Sequence, residues 1–194
     1  MKFLLALAIA AFALPLRAAD TPAQILAGWT PAEILRLMPS DTPPNQRLAG
    51  LAFVAGYEVI GQSVSIPAEK SAALLAALTD PAAFTAEKNE EHMRPGVAIR
   101  FRPTGPTDKT AILYLLVCFS CDKVALIPPG AGAITATYQI AQPTRDALLG
   151  LSKELLPQDE AIQALPKIRS KSAIPPPAAP IPADAPRAGQ SSEN

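Results

Sequence analysis

The chain has 194 residues, with 17 basic and 17 acidic side chains, two cysteines and one histidine, and its formal net charge is zero. No cluster of lysine and arginine is interleaved with aromatic residues, which disfavours nucleic-acid binding. The chain has no Gly-x-Ser-x-Gly elbow, P-loop, dinucleotide fingerprint or His-Glu-x-x-His motif, so the sequence signatures of several enzyme classes are absent.

Residues 1–19 have the layout of a secretory signal peptide. Lys2 supplies the positive charge that precedes an apolar run from Phe3 to Leu14. Small residues follow and permit cleavage after Ala18 or Ala19. The apolar run of about 12 residues is too short to cross a bilayer, which needs about 20. We expect export to the periplasm or outside the cell, with no integral membrane span after removal of the signal.

Proline and alanine dominate residues 169–194, which carry few large apolar side chains. Such a segment cannot bury enough surface to offset its conformational entropy, so we expect a disordered tail with polyproline-II character. A Pro-binding groove on an envelope protein is a candidate partner for this tail. Between the signal and the tail, residues 20–168 have the length of a single domain.

Two nine-residue copies of one pattern begin this domain, TPAQILAGW at 21–29 and TPAEILRLM at 30–38. Each copy has a threonine as candidate N-cap, a proline at the first helical position, and Gln24 or Glu33 three residues after the threonine. This is the capping-box pattern, in which the two side chains bond each other's free N–H groups. It predicts two short helices, or one helix broken between the copies, with Trp29 packed on the domain.

Hydrophobic periodicity and turn residues predict further elements along the chain. They are a loop at 39–46, a strand near 57–66, a helix at 67–78, a short helix that begins after Asp80, a loop at 89–96, and a helix near 143–156 followed by a short final turn.

The strongest β pattern is GVAIRFRP followed by ILYLLVC, which predicts a hairpin with a turn at TGPTD. Val97, Ile99 and Phe101 alternate with polar or small residues. One face of this strand should therefore be buried, and the face with Arg100 and Arg102 should be wet.

The return strand of this hairpin, 111–117, is apolar on both faces, which is typical of a central strand. Further strands are predicted at 122–127 and 133–140. Consecutive strands joined by short turns indicate an α+β fold. We expect a mainly antiparallel sheet of about four to five strands, packed with two main helices and with short N-terminal helices.

Cys118 and Cys121 form a Cys-x-x-Cys pair directly after the central strand. Along a regular strand, two residues at this spacing are about 10 Å apart, whereas the Cα atoms of a disulfide lie within about 7 Å. A straight strand therefore excludes a bridge, and a turn or bulge at Phe119-Ser120 permits one. Phe-Ser is a poor pair for a two-residue turn, so a bulge and a hairpin both remain open.

Several kinds of chemistry fit the cysteine pair. A redox site would use Cys118 and Cys121 as catalytic thiols, but the residues that follow favour β structure and lack the helix that normally lowers a thiol pKa. A metal site would add His92 to the two thiolates, whereas a structural zinc site has four ligands. A structural disulfide in an oxidising compartment, or two buried thiols within the sheet, completes the alternatives.

Other polar residues are weaker candidates for a site. Glu87, Glu90 and Glu91 lie close in sequence and could supply a carboxylate pair for acid–base catalysis, but carboxylates in a polar loop are usually solvated. Arg100 and Arg102 could recognise an anion, although a solvated strand face is the default for such residues.

The segment GVAIRFRP…ILYLLVCFSCDKVAL, with AALLAAL upstream and LLGLSKELLP downstream, resembles a loosely defined set of uncharacterised bacterial proteins. Their shared pattern, matched over residues 55–165, is an alternating strand, a hydrophobic strand that ends in Cys-Phe-x-Cys, and a further strand. That pattern often has an acidic residue where this chain has Ser120. The resemblance implies no activity and supports the strand placement alone.

Together these observations predict an exported protein with a non-catalytic binding or structural role in the periplasm or cell envelope, without a cofactor. One alternative is a thiol–disulfide redox protein that uses Cys118 and Cys121. The other alternative is a metal-binding protein that uses the same two cysteines and His92.

Overall fold

The computed structural model describes residues 21–39, 52–85, 92–105, 110–134 and 136–167. The segments predicted as a signal peptide and as a Pro-rich tail lie outside these residues. Four helices are described: α1 (Pro22–Leu26), α2 (Ala68–Thr79), α3 (Gln142–Leu155) and α4 (Glu160–Gln163). Eight strands are described: β1 (Trp29–Leu37), β2 (Phe53–Val54), β3 (Tyr57–Ser65), β4 (Phe84–Thr85), β5 (Val97–Pro103), β6 (Leu113–Cys118), β7 (Lys123–Ile127) and β8 (Ala136–Ile140).

The described strands form one antiparallel sheet with the order β2-β3-β1-β5-β6-β7-β8-β4. The α+β class is therefore confirmed, as are the β5–β6 hairpin and the central position of β6. The predicted number of strands is too low, because the sequence pattern did not identify β1, β2 or β4 as strands. Of these, β1 changes the fold most, since it lies between β3 and β5.

The second copy of the Thr-Pro pattern forms β1, so the helix predicted there is wrong. Ile34 and Leu35 are both buried, on opposite faces of the sheet, and strands pair with β1 on both sides. Glu33, the expected capping partner of Thr30, instead binds Arg100 of β5, with 2.6 Å between carboxylate and guanidinium. Burial and strand pairing outweigh the local capping preference here.

The first copy of the pattern forms α1 as predicted. The Gln24 N–H donates to Thr21 Oγ1 at 3.4 Å, and the Thr21 N–H donates to Gln24 Oε1 at 2.8 Å, which completes the capping box. Trp29 is partly buried against the core, as expected. Pro31 lies at an irregularity in the β1–β5 pairing, where its missing N–H is tolerated.

The helix predicted after Asp80 is also wrong over the part of it that the structure describes. The Asp80 carboxylate accepts the Ala82 N–H at 2.7 Å and turns the chain locally. The chain then forms β4, which pairs with β8 at the edge of the sheet. Phe84 and Thr85 pair with Ile140 and Gln139, so they occupy part of the backbone edge of β8 that a helix could not pair with.

Each face of the sheet carries a buried apolar cluster. On one face, Ile99 and Phe101 of β5 pack with residues of α2 and α3, as the alternation predicted. The opposite face of β5 is not simply wet, because Ala98 is fully buried and Arg100 lies over the Tyr114 ring, 5.7 Å from its centroid. β5 is therefore a central strand, and Glu33 of β1 compensates the charge of its Arg100.

An ion pair joins β1 to the last described helix. Arg36 Nε donates to the Asp159 carboxylate at 2.5 Å, and Arg36 Nη1 donates to the Gly96 carbonyl at 2.7 Å. The same carboxylate accepts the Ile162 N–H at 2.9 Å and caps α4. Burial raises the pKa of Asp159, but the Ile162 N–H and the Arg36 guanidinium together outweigh it and hold the pKa below its ordinary value.

Replacing Asp159 by asparagine should make folding stability less dependent on pH in the acid range. Asparagine also caps helices, so the change removes chiefly the charge that faces Arg36. A depressed folded-state pKa stabilises the protein above the unfolded-state pKa of about 3.9, and this contribution is lost as pH falls through the folded-state value. We expect a cost of about 1 kcal/mol at pH 7 that disappears at the lowest pH, measured by urea unfolding.

The control for this experiment is Glu160→Gln, which removes an exposed carboxylate from the adjacent position. It should leave the pH dependence close to that of the wild type. A cost of Asp159→Asn that stays constant from neutral to acid pH would contradict the assignment.

Candidate functional site

The cysteine pair lies in the connection of the β6–β7 hairpin. Cys118 ends β6 and pairs with Lys123 of β7, so residues 119–122 form the loop. Cys118 and Cys121 are joined by a disulfide, with their Cα atoms 5.5 Å apart. The structure therefore shows a hairpin closed by a disulfide, which is one of the alternatives that the sequence left open.

The hairpin forms because the loop has four residues rather than two. Asp122 has φ of +50°, and aspartate is one of the few non-glycine residues that adopt this left-handed conformation with little strain. Sequence reasoning tested only Phe119-Ser120 as a turn pair. The turn is made by Asp122, which follows the second cysteine. Its carboxylate also binds Arg145.

Both cysteines are buried. Cys118 is 0% exposed and Cys121 is 1% exposed. The Cys118 sulfur accepts the Arg94 backbone N–H at 3.4 Å, and the Ser120 hydroxyl oxygen lies 3.4 Å from the same sulfur. The disulfide thus has polar groups close to its Cys118 sulfur.

A pocket of about 360 Å³ lies beside the disulfide and is lined, among the described residues, by His92, Arg94, Ser120 and Cys121. The structure therefore brings His92 next to the cysteine pair, as the metal hypothesis required. Both sulfurs are bonded to each other, however, and a thiolate ligand would require the reduced form. Within the described ranges, no group of three or more His, Cys, Asp or Glu residues is arranged to hold a metal ion.

The weaker candidates of the sequence do not join this pocket. Arg100 is bound to Glu33 elsewhere on the sheet, and Arg102 lies near the far end of β5. Glu87, Glu90 and Glu91 lie outside the described residues.

Arg145 of α3 fixes the loop from the other side, and its side chain is only 2% exposed. Its Nε donates to the Asp122 carboxylate at 2.8 Å, and its Nη2 donates to the Phe119 carbonyl at 3.4 Å. A buried charge is tolerated only where such partners replace its hydration. The loop that carries the disulfide is therefore bound to α3 through this guanidinium.

The same guanidinium also binds the end of the described chain. Arg145 Nη1 donates to the Pro166 carbonyl at 3.0 Å and to the Lys167 carbonyl at 2.7 Å. Gln142 Nε2 donates to the Lys167 carbonyl as well, at 2.9 Å. We call this set of contacts the Arg145 cluster: Gln142 and Arg145 of α3, Phe119 and Asp122 of the loop, and Pro166 and Lys167.

Sequence reasoning missed Arg145, although the chain contains a signal for it. Arg145 precedes the buried Leu148 and Leu149 by three and four residues, so it lies on the buried stripe of α3. A charged residue at that position of an amphipathic helix predicts a buried ion pair. Its partner Asp122 could not be recognised without the hairpin.

Comparison of the chain with protein-family models, with curated proteins and with solved structures finds no match. Among the described helices, none is long and apolar enough to cross a membrane.

Replacing Arg145 by methionine should destabilise the protein by about 3–5 kcal/mol, because it leaves the Asp122 carboxylate and three carbonyls without the guanidinium. The free energy of unfolding at pH 7, from urea titration of the oxidised protein, measures this cost. The matched control is Lys70→Met, which breaks the Lys70–Glu154 pair, whose side chains are 30% and 57% exposed. That change should cost less than about 1 kcal/mol.

Combining Arg145→Met with Asp122→Asn should recover part of the loss, because the side chain that faced the guanidinium then carries no charge. Equal and small costs for Arg145→Met and Lys70→Met would contradict a buried, energetically important cluster.

Proposed function

We propose that this chain is an exported, non-catalytic protein with a binding or structural role in the periplasm or cell envelope. The observation that supports this most is the Cys118–Cys121 disulfide. Disulfides persist in oxidising compartments and are reduced in the cytosol of most organisms. A bridge at this position agrees with the signal-peptide layout of residues 1–19.

The surroundings of the disulfide favour a structural role over catalysis of thiol exchange. Reactive Cys-x-x-Cys pairs have at least one accessible sulfur and a helix N-terminus that lowers its pKa. Here both cysteines are at most 1% exposed, and the element that follows is the strand β7. The disulfide closes a short loop that Arg145 also binds, as expected of a structural disulfide.

A binding role is proposed for the Pro-rich segment, residues 169–194. The residues just before it, Pro166 and Lys167, are held by Gln142 and Arg145. The chain is therefore held at residues 166–167, and in this proposal a groove that binds proline-rich chains recognises the segment that follows. We propose an envelope protein as its partner.

Expression of the full chain in a bacterium with an outer membrane tests export. The protein recovered from the periplasm should begin at Ala19 or Asp20, and its intact mass should rise by two hydrogens on reduction. The variant Leu7→Arg, which interrupts the apolar run, should remain uncleaved in the cytosol. An uncleaved wild-type chain with reduced cysteines in the cytosol would contradict the proposal.

The absence of redox catalysis is tested with insulin and dithiothreitol. The protein should not accelerate insulin precipitation, because a protein disulfide cannot reach two buried sulfurs. The control is the double variant Cys118→Ala and Cys121→Ala, whose rate should equal that of the wild type. Acceleration by the wild type alone, or stoichiometric zinc that is lost in Cys118→Ala, would favour one of the alternatives.

A further inference from the structure

A pocket of about 370 Å³ lies at the end of the β6–β7 hairpin opposite to the disulfide loop. We call it the hairpin-end pocket. Ile112 and Tyr114 line it where β6 begins, and Ile127, Pro129 and Ala131 line it where β7 ends and the chain continues. No lining residue in the described part of the chain is charged.

The hairpin-end pocket continues one of the two apolar clusters to the surface. Ile127 belongs to the buried cluster, and Tyr114 and Ala131 pack against it. The guanidinium that lies over the Tyr114 ring is that of Arg100, whose charge Glu33 compensates. A charged group that entered the pocket would lose hydration without gaining a charged lining residue as partner, so the lining favours an uncharged, apolar occupant.

The Pro-rich segment contains a stretch with this chemistry. Residues 172–183, SAIPPPAAPIPA, have five prolines, two isoleucines and no charge. Proline has no backbone N–H, so such a stretch needs few hydrogen-bond acceptors from an apolar pocket. Its preference for polyproline II lowers the entropy lost on binding, and grooves that bind such chains present aromatic side chains. Tyr114 is the aromatic residue of the hairpin-end pocket.

The uncharged stretch is within reach of the pocket. Arg145 binds the carbonyls of Lys167, the last described residue, and of Phe119 in the disulfide loop. From Phe119 to Ile112 the hairpin strand covers about 23 Å. In polyproline II, residues 168–175 extend about 25 Å and residues 168–183 about 50 Å. The stretch therefore reaches the pocket along a direct path and also along a curved one.

We propose that residues 172–183 bind the hairpin-end pocket of their own chain. Attachment to the same chain gives the stretch an effective concentration on the order of 1 mM, so a contact that is weak between separate molecules is sufficient. The prolines and isoleucines occupy the pocket, and the charged residues that flank the stretch, Lys171 and Asp184, stay in water.

This docking would regulate the binding role of the Pro-rich segment, and this consequence rests on the proposed function. A partner groove and the hairpin-end pocket compete for the same prolines. If nine of ten segments are docked, the apparent affinity for the partner falls about tenfold. An occupant that displaces the stretch from the pocket would restore that affinity.

The first experiment locates the stretch by photo-cross-linking in the full mature protein. Ala179→p-benzoylphenylalanine places a photoreactive ketone within the uncharged stretch, and Ser191→p-benzoylphenylalanine is the control near residue 194. Residue 179 should cross-link within its own chain to peptides that contain 110–114 or 127–131, about fivefold more often than residue 191 does. The yield should not depend on protein concentration.

Other cross-linking results would overturn the proposal. Cross-links from residue 179 that spread evenly over the domain, or that match those from residue 191, would show no preference for the pocket. Cross-links between two chains whose yield rises with protein concentration would assign the pocket to the segment of a second copy and overturn binding within one chain.

The second experiment uses amide chemical shifts and needs no bulky probe. The double variant Ile174→Asp and Ile181→Asp adds two charges to the uncharged stretch and should release it, because the pocket offers no charged partner. The amide signals of Ile112, Gly130 and Ala131 should shift, and those of α2 should not. A synthetic peptide of residues 172–183 should return them toward their wild-type positions, with half-saturation on the order of 1 mM.

The matched control is Ala188→Asp with Gln190→Asp, which adds the same charge outside the stretch. It should leave the pocket signals at their wild-type positions. Pocket signals that respond equally to both double variants, or to neither, would overturn the proposal. Retention of the wild-type chain in the cytosol would contradict the proposed function without altering either experiment on purified protein, so the two failures are distinguishable.

Discussion

The buried guanidinium of Arg145 is the interaction on which the site depends. Arginine stays charged inside proteins, and its removal from water costs several kcal/mol unless hydrogen bonds replace its hydration. Arg145 obtains these bonds from Asp122 and Phe119 in one segment and from Pro166 and Lys167 in another. The Arg145 side chain therefore links helix α3, the disulfide loop and the end of the described chain.

The disulfide and the guanidinium restrict the same loop in different ways. The covalent bond limits the conformations that the loop can adopt, and it depends on the redox state of the surroundings. The guanidinium fixes the loop relative to α3, and it is insensitive to that state. The β6–β7 pairing extends from Tyr114 to Cys118 and does not require the bridge. A change at the sulfurs can therefore affect the loop while the sheet persists.

Sequence patterns identified the elements whose burial follows one simple period. The hairpin strand with Ile99 and Phe101, the stripe of α3, and the helix at 68–79 all belong to this class. The pattern failed where one local signature fits two structures. The Thr-Pro copies are nearly identical, yet the first caps α1 and the second lies in β1, because only the second is flanked by two strands. Pairing partners far along the chain are not visible in a nine-residue pattern.

The sequence by itself determined the α+β class and the central apolar strand, and it named the Cys-x-x-Cys pair and His92 as candidates for a site. It did so because composition and residue spacing are properties of the chain alone. Only the tertiary structure decided that the pair is a bridged hairpin, that His92 and Arg94 border it, and that Arg145 joins it to residues 166–167. These facts depend on contacts between segments that the fold brings together. The partners of a buried charge can therefore be identified only when the positions of those segments are known.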